Sequence, residues 1–330
     1  MTEITLTSPL DMHLHLRQGD MLRLTTPLSA DFFAGGVIMP NLIEPVDSVD
    51  RLNAYHSEIR ALSKDKVFEP YMTLFFKQYQ KAELEQVKDR IIGIKLYPAG
   101  ITTQSENGVS DFTAIEETVS AMEELQIPLL VHGESNGFVM DREQEFLSVY
   151  QTLAENFPGL HIIMEHITTA DSVEFMDRYD NVSATVTLHH LMITLDDVIG
   201  DLMRPDLFCK PIAKTQEDRS ALRNAVFSGH PKLMFGSDSA PHPRHKKECI
   251  GCAAGVFTAP VALPLLAQIF EEAGCLDQLQ NFVSTNACQR YQLTPPQKTI
   301  RLQKMPWTVP DFYGDVTPFY AGKTIGWSVV

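Results

Sequence analysis

The chain contains 330 residues, of which 44% are hydrophobic, 9% aromatic and 21% charged, a composition that excludes disorder, collagen and coiled coil as dominant states. Acidic residues outnumber basic ones by 42 to 27, which gives a formal charge of −15, whereas nucleic-acid binders and proteins that bind anionic membranes normally carry the opposite sign. The sequence has no apolar run long enough to span a membrane and no secretion signal at its N-terminus, so we expect a soluble, cytoplasmic protein.

Short apolar runs alternate with helical patterns along most of the chain. The runs that predict strands are residues 10–17, 36–42, 67–76, 91–98, 128–134, 161–168, 182–190 and 233–241. Between them apolar residues recur at a spacing of three and four, as in the stripe Val49, Leu52, Tyr55, Ile59 and Leu62. This alternation predicts a parallel sheet, either a closed barrel or an open doubly wound sheet. No G-x-G-x-x-G follows the first strand, which weakens the dinucleotide-binding alternative.

No linker or change in composition divides the sequence, so we expect one domain over residues 1–330. The stretch from about Leu293 is rich in proline and aromatic residues, and we interpret it as a C-terminal extension packed on the sheet. Five cysteines are too few for a disulfide framework in a chain of this length. Cys249 and Cys252 form a lone C-x₂-C, which we interpret as ordinary reduced thiols because no second pair accompanies it.

Side chains that can bind metals occur at the carboxyl ends of the predicted strands, where a parallel barrel has its active site. His13 and His15 are two residues apart on the first strand, so they point to the same side and can reach one metal ion. The same alternation directs His132, His166 and Asp238 inward at the ends of three other strands. Five such residues at four strand ends are difficult to explain as core filling.

A lysine on the fourth predicted strand adds to this pattern. Ile94 and Leu96 lie on one face of the strand, and Lys95 lies on the other face and points into the barrel. A buried ammonium without a partner is costly, so this lysine must be paired, neutralised or chemically modified. The same counting directs Met164 and His166 inward on the sixth strand.

Four other polar residues near the strand ends are not predicted to be metal ligands. Glu165 has the parity that faces away from the barrel axis, so we expect no catalytic role for it. His189 and His190 close the seventh predicted strand, and supporting or structural roles are favoured because the set of metal ligands is already filled. Glu134 lies just beyond His132 and is positioned to orient a ligand.

The motifs that carry these residues resemble those of the amidohydrolase superfamily and, within it, of the shorter bacterial dihydroorotases. They are DMHLHLR at 11–17, MPNL at 39–42, GIKLYPAG at 93–100, LVHGE at 130–134, MEHIT at 164–168 and GSDSAPH at 236–242. The resemblance covers nearly the whole chain. It implies an α/β fold in the form of a closed (β/α)₈ TIM-type barrel, with the short C-terminal extension packed on it.

The resemblance also implies a centre of two zinc ions per chain. The implied ligands are His13, His15 and Asp238 for one ion and His132 and His166 for the other. Lys95 would bridge both ions as its N6-carboxylate, formed with carbon dioxide, and this modification would turn a misplaced cation into an oxygen ligand. The implied mechanism is attack by a hydroxide held between the zinc ions, with Asp238 acting as general base and then as general acid.

The implied reaction is the reversible cyclisation of N-carbamoyl-L-aspartate to dihydroorotate, with loss of water, in pyrimidine synthesis. The implied substrate-binding residues are His15, Arg17, Asn41, His132, Lys210, His242 and Ala254, of which Lys210 and Ala254 would act through their main chains. Thr102 and Thr103, on a polar loop over residues 99–110, would close over the small anionic substrate as a lid. We expect a homodimer.

Two other functions remain open from the residues alone. A hydantoinase-like hydrolase of cyclic amides would share the metal ligands but would not need the anion pocket that Arg17, Asn41 and His242 suggest. A non-catalytic barrel that serves as a scaffold would have lost metal ligands, and none is missing here.

Overall fold

Eight parallel strands form the centre of the protein. The computed structural model describes residues 2–100, 108–109 and 115–330. After a peripheral strand β1 (Glu3–Thr7), the central strands follow in chain order as β2 (Leu10–Leu14), β3 (Gly35–Ile38), β4 (Glu69–Phe75), β5 (Gly93–Leu96), β6 (Leu129–Val131), β7 (Ile162–Met164), β8 (Val182–Val186) and β9 (Leu233–Phe235). Each strand pairs with the next one along the chain. Seven of the eight lie within the apolar runs that predicted them, and β3 begins one residue before its run, so the sequence identified every barrel strand.

The last strand returns to the first at the carboxyl ends. The backbone N–H of His15 donates to the carbonyl of Ser239 at 3.1 Å, and that of Asp238 donates to the carbonyl of His13 at 2.8 Å. These bonds join the segments after β2 and β9 and nearly close the sheet into a barrel. The prediction of an α/β barrel is therefore confirmed, and the open doubly wound alternative is wrong.

Helices surround the sheet and connect its strands. They are α1 (Gly19–Phe32), α2 (Val49–Leu62), α3 (Lys81–Glu85), α4 (Glu116–Leu125), α5 (Arg142–Asn156), α6 (Ala170–Asp177), α7 (Leu188–Met192), α8 (Leu195–Ile199), α9 (Gln216–Phe227), α10 (Arg244–Lys247), α11 (Ala262–Glu272) and α12 (Asn286–Tyr291). In α2, Ser48 caps the first turn by accepting from the backbone N–H of Arg51. Leu52, Tyr55 and Ile59 form its buried face, as the apolar stripe predicted. Within the described part of the chain, the length and hydropathy needed to cross a membrane are not met by any helix.

Most of the buried apolar side chains belong to two clusters, one inside the barrel and one between the strands and the helices. Leu10, Leu130 and Met234 belong to a cluster enclosed by the strands, whereas Ile94 and Leu96 belong to the larger cluster that includes the helix residues. On β5, Lys95 therefore lies on the face opposite to Ile94 and Leu96, as the alternation predicted.

The predicted orientation of β7 is wrong. Ile163 belongs to the cluster inside the barrel, and Met164 belongs to the outer cluster, which is the reverse of the expected arrangement. Regular strand ends at Met164, and His166 has a φ of 41°, so its side chain no longer follows the strand alternation. His166 consequently faces the barrel interior together with Glu165.

The two ends of the chain meet outside the barrel. The C-terminal part contains β10 (Thr299–Gln303), β11 (Trp307–Thr308), β12 (Thr324–Ile325) and β13 (Ser328–Val329). β10 pairs antiparallel with both β1 and β13, and β11 pairs with β12. The indole N–H of the buried Trp327 donates to Glu271 on α11 at 3.0 Å, which fixes this extension to the helical layer.

Candidate metal centre and substrate pocket

His13, His15 and Asp238 form the first half of the candidate metal centre. Asp238 Oδ1 lies 3.1 Å from His15 Nε2 and 3.5 Å from His13 Nε2, and all three side chains are buried. One ligand atom from each residue lies within 4.8 Å of the other two. Two imidazole nitrogens and one carboxylate oxygen are donors that suit a divalent transition metal such as zinc.

The electrostatics of this group favour the protonation states that bind metals. Burial and the nearby Arg17 lower the pKa of His15 to about 3, so its ring is neutral near pH 7. Burial alone would raise the pKa of Asp238, but the hydrogen bond with His15 and the electrostatic interactions with His13 and His166 hold it well below its ordinary value. A neutral imidazole beside an ionised carboxylate is the arrangement that a metal ion requires.

His132 and His166 form the second half of the centre. His132 Nδ1 lies 3.1 Å from His166 Nε2, and both rings are buried. Burial is the main cause that lowers the pKa of both histidines, so each ring is neutral near pH 7. The rings of His13 and His166 are 5.0 Å apart between centroids, so the two halves are adjacent.

Lys95 is the buried cation between these groups. Its Nζ has no hydrogen-bond partner among the described residues and lies 5.2 Å from the centre of the Tyr97 ring. Burial lowers the pKa of Lys95 to about 8, against the opposing effects of Glu165 and Asp238. An orphaned amine within a group of metal-binding side chains is a feature that the free ammonium form does not explain.

Two buried carboxylates orient candidate histidine ligands through hydrogen bonds. Glu134 Oε2 lies 2.6 Å from His132 Nε2, and Glu165 Oε2 lies 2.7 Å from His13 Nδ1. The expectation that Glu165 faces away from the barrel axis is wrong, because β7 has the opposite orientation to the one predicted. For both carboxylates burial alone would raise the pKa, but the neighbouring histidine outweighs it, and each pKa lies below its ordinary value.

Close packing at the barrel rim allows these side chains to converge. An added Cβ on Gly236 would lie 2.9 Å from the Cβ atoms of both His13 and Thr185. Arg17 and Asp238 have φ values of 64° and 42°, conformations that non-glycine residues rarely adopt and that occur preferentially at functional sites. The strands therefore end in irregular turns that direct polar side chains toward one point.

The predicted substrate-binding residues lie at the mouth of the same site. One cavity is lined by His13, His15, Arg17, Asn41, Tyr97, His132, His166, Lys210, Asp238, Ala240, Ala254 and Gly255. It brings together the predicted metal and substrate residues apart from Lys95 and His242. Lys95 does not line the cavity, and Tyr97, two residues further along the chain, does line it. The sequence analysis missed Tyr97, although strand alternation from Lys95 would have indicated it.

His242 does not line the cavity but contacts Arg17, which does. His242 Nε2 lies 3.1 Å from Arg17 Nη2 and 3.1 Å from the carbonyl oxygen of Ala254. Burial and the Arg17 charge lower the pKa of His242 to about 3, so the neutral ring can accept a hydrogen bond from the guanidinium. The hydroxyl of Tyr55 donates to the Arg17 carbonyl at 2.9 Å, which fixes the backbone of Arg17 as well. Thr102 and Thr103 lie outside the described residues.

His189 and His190 do not close a strand as predicted. β8 ends at Val186, and both histidines lie in α7, whose first turn is capped by Thr187. His190 is hydrogen-bonded through Nδ1 to Thr187 and through Nε2 to the carbonyl oxygen of Pro211. Neither ring lines the cavity described above.

The fold and the site define a metal-dependent hydrolase of the barrel type, and the comparisons agree. The model of the amidohydrolase family matches residues 8–304, and the chain belongs to this family. The dihydroorotase of Helicobacter hepaticus is 43% identical over 336 residues, which cover 99% of this chain and 97% of that protein.

Solved structures identify the branch of the amidohydrolase family to which the chain is most similar. A dihydroorotase from Campylobacter jejuni has a TM-score of 0.96 and 52% identity, and the match covers 100% of this chain and 98% of that one. The dihydroorotase of Saccharomyces cerevisiae, in complex with 5-fluoroorotic acid, has a TM-score of 0.94 and 34% identity, with 100% and 99% covered. Within the amidohydrolase family, the chain belongs to the dihydroorotases.

Proposed function

We propose that this protein catalyses the reversible cyclisation of N-carbamoyl-L-aspartate to dihydroorotate and water, a step of pyrimidine synthesis. The observation that carries the proposal is a buried group of four histidines, Asp238 and Lys95 next to a cationic pocket built on Arg17. Such a site can hold metal ions and an anionic substrate side by side.

The donor set fits two zinc ions. His13, His15 and Asp238 would hold one ion, and His132 and His166 the other. When bound, the zinc ions would polarise the scissile carbonyl and lower the pKa of a shared water. The hydrogen bonds from Glu165 and Glu134 support this assignment, because metal-binding histidines commonly donate their second N–H to a carboxylate.

Lys95 would serve as the bridge between the two ions after carboxylation. The ammonium would first lose a proton. The neutral amine would then attack carbon dioxide, so that a C–N bond forms while one C=O π bond breaks, and a second proton would leave. A cation thereby becomes a carboxylate. Burial without a hydrogen-bond partner supports the modification, and the lowered pKa of about 8 provides the neutral amine that it needs.

Asp238 would carry the proton during catalysis. In the hydrolytic direction it accepts a proton from the attacking water and then donates it to the departing ring nitrogen. Its histidine neighbours, His13, His15 and His166, hold its pKa low, so the carboxyl is ionised before the attack. In the cyclising direction the same carboxyl runs these transfers in reverse.

Arg17 would bind the substrate carboxylate, with Asn41 and His242 completing the anion site. The guanidinium can form a bidentate contact with a carboxylate, and its position is fixed by His242 and Tyr55. Lys210 and Ala254 border the same cavity and would contribute main-chain contacts. Thr102 and Thr103 would form the lid, and the protein would act as a cytoplasmic homodimer.

This pocket favours a dihydroorotase over the alternatives. A hydantoinase-like enzyme needs no half-buried arginine at the mouth of the metal site, and a scaffold needs no convergent set of ligands. The test is to measure zinc content and turnover of carbamoyl-aspartate on the same sample. Two zinc ions per chain with cyclisation support the proposal, and a zinc-free or inactive protein would refute it.

A further inference from the structure

A second group of metal-binding side chains lies outside the proposed zinc centre. It consists of His189 and His190 on α7 and Cys209, which precedes Lys210 on the wall of the substrate cavity. One ring nitrogen of each histidine and the sulfur of Cys209 lie within 4.8 Å of one another. All three side chains are fully or almost fully buried.

Simple packing among the described residues does not explain the burial of the His189 ring. Both of its ring nitrogens are buried and lack a hydrogen-bond partner among the described residues. A neutral imidazole carries one donor and one acceptor, and buried polar atoms are usually paired. Burial lowers the pKa of His189 to about 4, so the ring is neutral and available as a ligand.

The other two side chains have the spacing of ligands on one ion. Cys209 Sγ lies 3.6 Å from His190 Nε2. Zinc–nitrogen and zinc–sulfur bonds at a tetrahedral angle separate the two donor atoms by about 3.6 Å. The carbonyl oxygen of Pro211 lies 3.0 Å from His190 Nε2 and 3.2 Å from Cys209 Sγ, which adds a fourth donor.

We propose that His189, His190 and Cys209 bind a third transition-metal ion of the zinc type, with the carbonyl of Pro211 as fourth ligand. On binding, the Cys209 thiol releases its proton to solvent and the thiolate forms the metal–sulfur bond. The His190 proton is then carried on Nδ1, where the hydroxyl oxygen of Thr187, 2.9 Å away, can accept it. Nε2 is thereby free to bind the metal.

Two lysines and Asp238 set the charge around this site. Lys214 Nζ donates to the carbonyl of Ile212 at 3.0 Å, and Lys247 Nζ donates to three backbone carbonyls, of which Ala253 and Gly255 each lie at 2.8 Å. The positive charges of the two lysines oppose a bound cation, and Asp238 and the thiolate of Cys209 partly offset them. We therefore expect this third site to bind zinc more weakly than the proposed zinc centre does.

A bound ion would connect α7 to the segment that carries Lys210. Because Lys210 borders the substrate cavity, occupancy of the third site would fix one wall of the pocket. The ion would act on pocket rigidity and would take no part in the reaction itself.

The test uses cobalt, because the proposed zinc centre contains only nitrogen and oxygen ligands. The purified full-length enzyme is stripped with a chelator and titrated with Co²⁺ while its near-ultraviolet absorption and bound metal are followed. We expect three equivalents, the third accompanied by thiolate-to-cobalt charge-transfer absorption. Cys209→Ser should abolish this absorption and bind two equivalents.

Three further variants make the result specific. Cys249→Ser and Cys252→Ser should keep the absorption, because neither thiol belongs to the group. His189→Gln should weaken binding of the third equivalent at least about tenfold, with the fold checked by circular dichroism. Absence of the absorption at saturating cobalt, its survival in Cys209→Ser, or unchanged affinity in His189→Gln would overturn the proposal. None of these outcomes would affect the two-metal centre, whose own ligands are unaltered.

Discussion

Glu165 Oε2 lies 2.7 Å from His13 Nδ1, although the two residues belong to strand ends 152 positions apart in sequence. The Thr185 hydroxyl donates to the same Glu165 oxygen at 2.6 Å and accepts from the backbone N–H of His166 at 2.7 Å. This chain of hydrogen bonds places the proton of His13 on Nδ1 and leaves Nε2 directed toward Asp238. One carboxylate thereby orients a ligand in each half of the proposed metal centre.

Glu165→Gln should weaken zinc binding about tenfold to a hundredfold, because an amide no longer provides a full acceptor for His13 Nδ1–H. The measurement is competition for zinc with a chelator of known affinity. Thermal unfolding of the metal-free protein is the control, and it should change little because the side-chain shape is kept. Wild-type zinc affinity in this variant would show that Glu165 does not orient the ligand.

Lys95→Ala should lose most of its bound zinc and its activity, because the proposed bridge is removed. Short carboxylic acids should restore part of both by occupying the space left by the carboxylated side chain. The measurement is zinc content and turnover with and without added acetate or propionate. A Lys95→Ala protein with full zinc and normal turnover would contradict the bridging role.

Asp238→Asn tests the proton transfer. Asparagine tolerates the φ of 42° at this position and keeps an oxygen ligand, but it cannot accept a proton. We expect the variant to retain much of its zinc and to lose about a hundredfold or more in rate. Turnover is measured in both directions on zinc-loaded protein. Near-normal rates would assign the proton to another residue.

Glu143→Ala should destabilise the fold by about 3 kcal/mol, because the buried Glu143 carboxylate accepts from backbone and hydroxyl groups at the start of α6. Its partners include the N–H groups of Thr168 and Thr169, at 2.9 and 3.1 Å, and the hydroxyl of Ser172 at 2.6 Å. Urea unfolding measures the loss. The control is Glu155→Ala, which removes an exposed carboxylate from α5, the helix that also carries Glu143. It should change the free energy of unfolding by less than about 0.5 kcal/mol. Equal effects of the two substitutions would show that burial of Glu143 adds nothing.

The sequence predicted the strands well because β2 to β9 are mostly apolar and are buried on both faces, apart from the half-buried Glu69 and Tyr71 on β4. It also predicted that the barrel would bring His13, His132 and Asp238 together. Strand alternation failed at β7, because the strand ends at Met164 and the next residues leave extended conformation.

The wrong orientation predicted for β7 also placed Glu165 on the outer face of the barrel, away from the metal centre. Its contact with His13 joins strands that are distant in sequence, and no local pattern encodes such a contact. His189 and His190 were assigned to a strand because the apolar run continues past Val186, and only the capping hydroxyl of Thr187 shows that a helix begins there.

The central claim is that this site selects a cyclic amide that carries a carboxylate, and that Arg17 binds this carboxylate. The most direct measurement is the ratio of kcat/KM for dihydroorotate to that for dihydrouracil, which has the same ring without the carboxylate. We predict a ratio of about a hundredfold or more, because a site built to bind a charged group rejects the analogue that lacks it. In Arg17→Met the ratio should fall toward one with zinc content unchanged. Equal use of both rings by the wild-type enzyme, or an unchanged ratio in Arg17→Met, would contradict the account.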